Sequence, residues 1–300
     1  MTGIFTINKT DNARWLVLLR LGVGLLLIVK IFSEYGSLDW LYSGGGLVPV
    51  DISFFSQHPL IPSLHSIYIL ISIYCSEIFF LKVFFFLQLA AAGLLILGYK
   101  TPWVALVCWL MQVVIFNSTH LTSYGFDAML LSLLFYAFIF PTGRYFSLDN
   151  NIRPQASNAD ETLPDIYLKA MQIHICLIYF VNGISKMNGT TWHDGSGMWD
   201  AINQPQFASI LTPLLQRFFM IDTIPMIVCM GTIAIELAYP FLIWIRKINA
   251  VILILIILLH VFIALVFGLW LFASVMILFN LVAFGHLLWP QRISEADPST

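Results

Sequence analysis

Four polar residues lie at helical spacing inside one apolar stretch of the sequence. Gln172, Tyr179, Asn182 and Lys186 follow one another at i, i+7, i+10 and i+14 within residues 167–187, which places them on one side of an α-helix. The amine of Lys186 is the most reactive of these groups, because apolar surroundings favour a neutral lysine that can accept a proton. Asn182 and Lys186, at i and i+4, are close enough to touch.

Two further ionisable residues, Glu236 and His260, occupy later apolar stretches. The carboxylate of Glu236 can pair with Lys186 or with Arg20, and pairing with Lys186 would favour the ammonium form of the lysine. Partnership with Glu236 and service of Lys186 as a base are therefore competing hypotheses. His260 fits either a structural hydrogen bond or a role in binding.

Each of these groups also has a purely structural interpretation. A charge in the hydrocarbon of a membrane costs about 2.5 kcal/mol or more, so it needs a partner, a route to the headgroups or a function. The polar side of residues 167–187 can be a hydrogen-bonded seam between helices that ends in a lysine reaching the headgroups. Arg20 can tie helices together through a carboxylate, and Lys30 and Lys82 can reach the headgroups.

The composition indicates that these residues belong to a membrane protein. Hydrophobic residues make up 59% of the 300 residues and charged residues only 10%, far from the balance of soluble domains. A helical span needs about 20 apolar residues, and such runs predict about eight spans, within a range of seven to nine. The runs cover residues 14–32, 78–98, 103–117, 126–140, 167–187, 224–245, 248–267 and 269–288. We expect an all-α polytopic bundle that forms a single domain over residues 1–290.

The basic residues predict the orientation of this bundle. With the N-terminus in the cytoplasm, nearly all Lys and Arg residues of the connecting segments fall on the inner side, and Arg217 is the exception. Both termini are then cytoplasmic, including a short tail at residues 291–300. Two long outer segments, residues 33–76 and 188–223, are expected to be functional or to carry short helices.

The sequence excludes or disfavours several classes of protein. A net charge of −2, without a basic block interleaved with aromatics, excludes nucleic acid as a partner. The four cysteines lie in apolar runs without metal-ligand spacing, which favours buried thiols over a metal site. A transporter is disfavoured because the two halves show no repeat and no paired broken helices.

Six blocks of the sequence resemble the HTTM superfamily, which unites bacterial membrane proteins with the membrane part of vitamin K-dependent γ-glutamyl carboxylase. The blocks are, in order, RLGVGLLLI with GGGLVP, LLILGYKTP, GFDAMLLSLLFYAFIFPTGRYFSLD, YFVNGISKMNGTTWHDG, ELAYPFLIW and HVFIALVFGLWLFASVMILFNLVAF. The resemblance extends over residues 14–288. In the carboxylases the fourth block contains the lysine regarded as the base that deprotonates vitamin K hydroquinone, and Lys186 matches that position.

The resemblance, taken with the polar pattern, predicts the residues of a site. The predicted catalytic residues are Lys186, Asn182, Glu236 and His260, and the predicted cofactor-binding residues are Tyr179, Trp192 and Asp194. The cofactor implied is a reduced quinone that acts with O₂ and CO₂ to carboxylate glutamate. The histidine that carboxylases carry near residues 120–127 has no clear counterpart here.

We expect the protein to lie in the bacterial cytoplasmic membrane, in contact with membrane lipid. Two hypotheses for its function follow. A shorter bacterial relative, which works with a small partner to mature the sporulation-delaying toxin peptide, fits the size of this chain better than the carboxylases do. The first hypothesis is accordingly modification or maturation of a secreted peptide at the extracytoplasmic face, with a small soluble partner protein. The second is a non-catalytic assembly, export or immunity factor, in which Lys186, Glu236 and Arg20 form only an ion-paired seam.

Overall fold

A computed structural model describes residues 9–53, 55, 57–119, 123–152, 163–207, 211–221 and 223–288. Within these ranges the chain forms eight helices of at least 15 residues and no strand, which confirms the expected all-helical bundle. The eight helices are α1 (Lys9–Glu34), α2 (Glu77–Leu97), α3 (Thr101–Ser118), α4 (Gly125–Ile139), α5 (Leu163–Met187), α6 (Thr223–Leu242), α7 (Asn249–Phe267) and α8 (Trp270–Phe284). The predicted tail, His120 and residues 153–162, which lie between α4 and α5, are outside the described residues.

Seven of these helices are long and apolar enough to cross a membrane. The exception is α4, whose 15 residues rise about 22 Å, less than the hydrocarbon thickness of about 30 Å. It nevertheless packs against α1, α3 and α8, so it belongs to the bundle. The two long connecting segments carry the short helices expected of them, among them Leu64–Ile71, Ser196–Asn203 and Thr212–Phe219.

The last helix, α8, lies at the centre of the bundle. It contacts α1 and α4 from the first half of the chain and α5 and α7 from the second. Its buried surface is apolar except for Asn280. The first four helices and the last four are therefore joined by packing around α8 and not only by the segment between α4 and α5.

Arg20 is fully buried and joins α1 to the segment that follows α4. Its guanidinium donates to the carbonyls of Thr142 at 2.9 Å, Tyr145 at 3.1 Å and Phe146. The expectation of a carboxylate partner is therefore wrong. Buried backbone carbonyls need donors, and the planar guanidinium supplies several at once.

Asp149 ties the same segment to the start of α3. Its carboxylate accepts the N–H groups of Lys100 and Thr101, both at 2.7 Å, and the Thr101 hydroxyl at 2.8 Å. Burial opposes ionisation, but these bonds and the charge of Arg20 hold the pKa of Asp149 below its usual value. Gly98 ends α2 with a φ of 70°, and a side chain there would collide with Arg20. Three of the sequence blocks thus meet at one joint, at what we call the Arg14 end of the bundle.

Candidate active site

Lys186 and Glu236 form a close ion pair between α5 and α6. The Lys186 Nζ lies 2.8 Å from Oε1 and 2.6 Å from Oε2 of Glu236. The lysine side chain is 22% exposed and the glutamate side chain 8%, so the amine is the more accessible partner. The partner of Glu236 is therefore Lys186 and not Arg20, which is engaged at the Arg14 end.

A glycine allows the two helices to approach closely enough for this pair. A Cβ atom built on Gly183 would lie 2.8 Å from Cδ2 of Leu237, so a larger residue would push α5 away from α6. Small residues permit such approaches between membrane helices. Lys186, one residue before the end of α5 at Met187, thereby comes within hydrogen-bond distance of Glu236 on α6.

The segment after α5 folds over the lysine. Its short helices Thr190–His193 and Ser196–Asn203 both pack on α6. The ring centroid of Trp192 lies 5.3 Å from the Lys186 Nζ, within the range of a cation–π contact. The flat indole thereby forms one wall beside the amine.

Asp194 performs a local role in that segment. Its Oδ1 accepts the N–H of Ser196 at 2.8 Å, and bonds from Ser196 lower the pKa of the exposed carboxyl. Gly195, with a φ of 79°, starts the following helix. Among the described contacts none joins Asp194 to Lys186, so the predicted cofactor-binding role of Asp194 rests on the resemblance alone.

A chain of hydrogen bonds runs through the core below the ion pair. Tyr239 Oη donates to Asn280 Oδ1 at 2.7 Å, and Asn280 Nδ2 donates to Tyr179 Oη at 2.6 Å. Tyr179 Oη lies 2.7 Å from His260 Nε2. His260 is therefore bonded to the polar side of α5, and four helices contribute to one buried network.

The direction of these bonds favours one tautomer of His260. Asn280 Nδ2 also donates to the carbonyl of Met276 at 2.8 Å, and this fixes which end of the amide is nitrogen. Tyr179 accepts from Asn280, and donation to His260 Nε2 gives the Tyr179 proton an acceptor as well. This arrangement places the imidazole proton on Nδ1, which is buried and has no partner among the described residues.

The predicted polar side of α5 is only partly assembled. Gln172 is buried and donates to the carbonyl of Ala283 at 2.8 Å, and Tyr179 and Lys186 are bonded as above. Asn182 is exposed and makes no hydrogen bond within the described part of the chain. It lies at the edge of the polar arc, farthest from Gln172 around the helix, so it turns out of the interface between α5 and α6.

A second charged cluster, formed by Lys30, Glu34, Tyr42 and Asp127, occupies the first half. Lys30 is 3% exposed, so the expectation that it reaches the headgroups is wrong. Its Nζ donates to both Glu34 oxygens at 2.8 Å and to Tyr42 at 3.3 Å, and Asp127 Oδ1 lies 3.7 Å away. Glu34, one helical turn beyond Lys30, holds the ammonium on the face that turns into the bundle. Lys82 is exposed, as expected.

Three residues of the site were not anticipated from the sequence. They are Tyr239 and Asn280 of the buried network and Gly183 at the contact between α5 and α6. Each has a feature in the sequence that could have indicated it. Asn280 is polar within a buried apolar helix, Tyr239 follows Glu236 by three positions, and Gly183 lies inside the NGISK block. The described residues bring no three His, Cys, Asp or Glu side chains together as metal ligands would be.

Apolar helices of spanning length, with ionisable groups buried between them, define a polytopic integral membrane protein. The HTTM domain family matches residues 8–289, so the chain belongs to the HTTM family. No match was found among curated proteins or among solved structures.

Proposed function

We propose that this protein modifies or matures a secreted peptide at the extracytoplasmic face of the membrane, with Lys186 as the proton acceptor. The observation that carries the proposal is the Lys186–Glu236 pair, in which a partly accessible amine is held by a buried carboxylate. Membership of the HTTM family and the match of Lys186 to the carboxylase lysine support it. Ionisable residues inside membrane spans cost free energy, and those that proteins keep there are typically functional.

We propose a reduced quinone as the cofactor, and two side chains support this choice. Trp192 offers a flat aromatic wall beside the amine, and His260 Nδ1 offers a buried donor without an acceptor among the described residues. These two residues would hold the ring, and Tyr179 would fix the orientation of His260. When bound, a reduced quinone would supply an acidic hydroxyl and the electrons for reaction with O₂, and CO₂ would supply the added carboxyl group.

The ion pair reconciles the two competing hypotheses for Lys186. Partial burial penalises both charges, so an ammonium facing a carboxylate and a neutral amine facing a carboxylic acid differ less in free energy here than they do in water. Transfer of one proton from Lys186 Nζ to Glu236 Oε2, which are 2.6 Å apart, leaves a neutral amine. That amine accepts the proton of the substrate hydroxyl, and Glu236 keeps the proton it received.

Substitution of Lys186 tests this role. We expect Lys186→Ala and Lys186→Arg each to abolish modification, because arginine keeps the charge but does not give up its proton. The measurement is the intact mass of peptides secreted by cells that carry each variant, where carboxylation adds the mass of CO₂ per glutamate. Lys82→Ala, which alters an exposed lysine of α2, is the matched control. Normal modification by both Lys186 variants at normal expression would remove the proposal.

A non-catalytic partner remains the second candidate, because the two-oxygen contact of Lys186 with Glu236 also suits a structural tie. Exchange of the two charges, Lys186→Glu with Glu236→Lys, separates the candidates. A structural tie predicts that the double variant recovers the expression and phenotype lost in either single variant. The catalytic proposal predicts recovered expression without peptide modification.

A further inference from the structure

A cavity of about 330 Å³ opens at the Arg14 end of the bundle, between α1, α5 and α8. Its walls are aliphatic and aromatic side chains, including Leu18, Leu21, Leu168 and Leu281, and Arg14 and His286 stand among them. From Arg14 to Leu21 the wall on α1 rises about 10 Å. The cavity is thus long, apolar and associated with basic groups.

A strained residue completes the wall. Phe146 has a φ of 47°, a conformation that is unfavourable for a bulky side chain, and its ring lines the cavity. Arg20 holds it there by donating to its carbonyl. Strain that the surrounding structure maintains is a frequent mark of a binding site.

We propose that this cavity binds one acyl chain of an anionic phospholipid, with the phosphate at Arg14 and His286. Apolar walls suit the acyl chain, and the permanent positive charge of Arg14 favours a negative headgroup over a zwitterionic one. The basic residues of the sequence predict that this end faces the cytoplasm, where such lipids meet basic side chains. The site is distinct from the Lys186–Glu236 pair and does not depend on its function.

Lipid retention by the purified full-length protein tests the proposal. The protein in detergent is offered equal amounts of dioleoyl phosphatidylglycerol and dioleoyl phosphatidylcholine, and bound lipid is counted by native mass spectrometry. We expect phosphatidylglycerol to be retained roughly fivefold over phosphatidylcholine, which corresponds to about 1 kcal/mol. Equal retention of the two lipids would overturn the proposal, as would an isoprenoid quinone found as the retained molecule.

Two matched pairs of variants locate the bound lipid. Leu21→Trp fills the cavity, whereas Leu25→Trp adds the same volume to an exposed position one turn further along α1, so only the first is expected to lose the retained lipid. Arg14→Gln is expected to remove the headgroup preference, and Lys169→Gln, at an exposed lysine of α5, is expected to keep it. Equal retention by the two tryptophan variants, at equal melting temperatures, would contradict the assignment.

Discussion

The cluster around Lys30 holds one positive charge against two carboxylates. Glu34 receives two bonds from Lys30 and a third from Tyr42 at 2.7 Å, whereas Asp127 stands 3.7 Å from the ammonium. Removal of one partner from a buried pair leaves an uncompensated charge, and its cost is greater than the net value of the pair. Removal of the lysine and removal of one carboxylate should therefore have opposite effects on the stability of the protein.

We expect Lys30→Met to destabilise the protein by about 3–5 kcal/mol, because it leaves two carboxylates without a counter-ion. Asp127→Asn should leave the melting temperature unchanged or raise it, because the cluster then contains one charge of each sign. The measurement is thermal unfolding of the purified protein in detergent. Lys82→Met is the control for loss of an exposed lysine, and a large loss of stability in Asp127→Asn would contradict this account.

At the scale of single residues, the sequence identified which groups carry charge but not all of their partners. The pairing of Lys186 with Glu236 was one of two stated alternatives, since both side chains lie on the polar faces of neighbouring spans. The partners of Arg20 could not be predicted, because every residue carries a backbone carbonyl and the sequence therefore does not single out which ones accept. The i, i+4 spacing of Lys30 and Glu34 is visible in the sequence, but the side of α1 that turns into the bundle is not, since Asp127 lies 97 positions away and no periodicity connects it to Lys30.

At the scale of elements, the joint between α1, α3 and the segment after α4 depends on Asp149. Its carboxylate replaces the missing hydrogen-bond acceptors at the first turn of α3, a contribution of about 1 kcal/mol. Because the pKa of Asp149 is lower in the folded protein than its usual value, the ionised form stabilises the fold. This stabilisation is fully present above about pH 4, the unfolded-state pKa, and is lost as the pH falls through the folded-state pKa.

We expect Asp149→Asn to lower the free energy of unfolding by about 1 kcal/mol at pH 7, because the amide keeps one acceptor but loses the charge. The difference from the unsubstituted protein should shrink when unfolding is measured at about pH 3. Asp39→Asn, at an exposed position of the helix Leu38–Tyr42, is the control. A difference that stays constant between the two pH values would show that the charge of Asp149 does not matter.

The elements themselves follow closely from the sequence. Long apolar runs between polar breaks mark spans because lipid cannot satisfy a free backbone, so fold class and helix order could be predicted. Helix ends were harder, since α1 starts at Lys9 and α6 stops at Leu242, where runs of hydropathy carry no sharp signal. The approach of α5 to α6 at Gly183 depends on side-chain fit, which a one-dimensional pattern does not encode.

At the scale of the whole molecule, the distribution of basic residues predicts which end faces the cytoplasm. In cells that express the protein with Cys75→Ser as the parent, we expect a membrane-impermeant maleimide to label Asp200→Cys without lysis. Asn151→Cys should be labelled only after lysis, because the predicted orientation places it inside. Both positions are exposed, so accessibility of the side chain is not limiting. The reverse pattern would invert the assignment of the two ends.

The central place of α8 has a consequence for biosynthesis. α8 follows the other seven helices in the sequence, yet it packs against α1, so this interface closes only after the ribosome has delivered every other span. Until then the Ala283 carbonyl that accepts from Gln172 and the Asn280 amide that donates to Tyr179 are absent, so both side chains need other partners. Assembly of the first and second halves is therefore a late event of translation, and a ribosome that stalls before residue 270 leaves the polar core open.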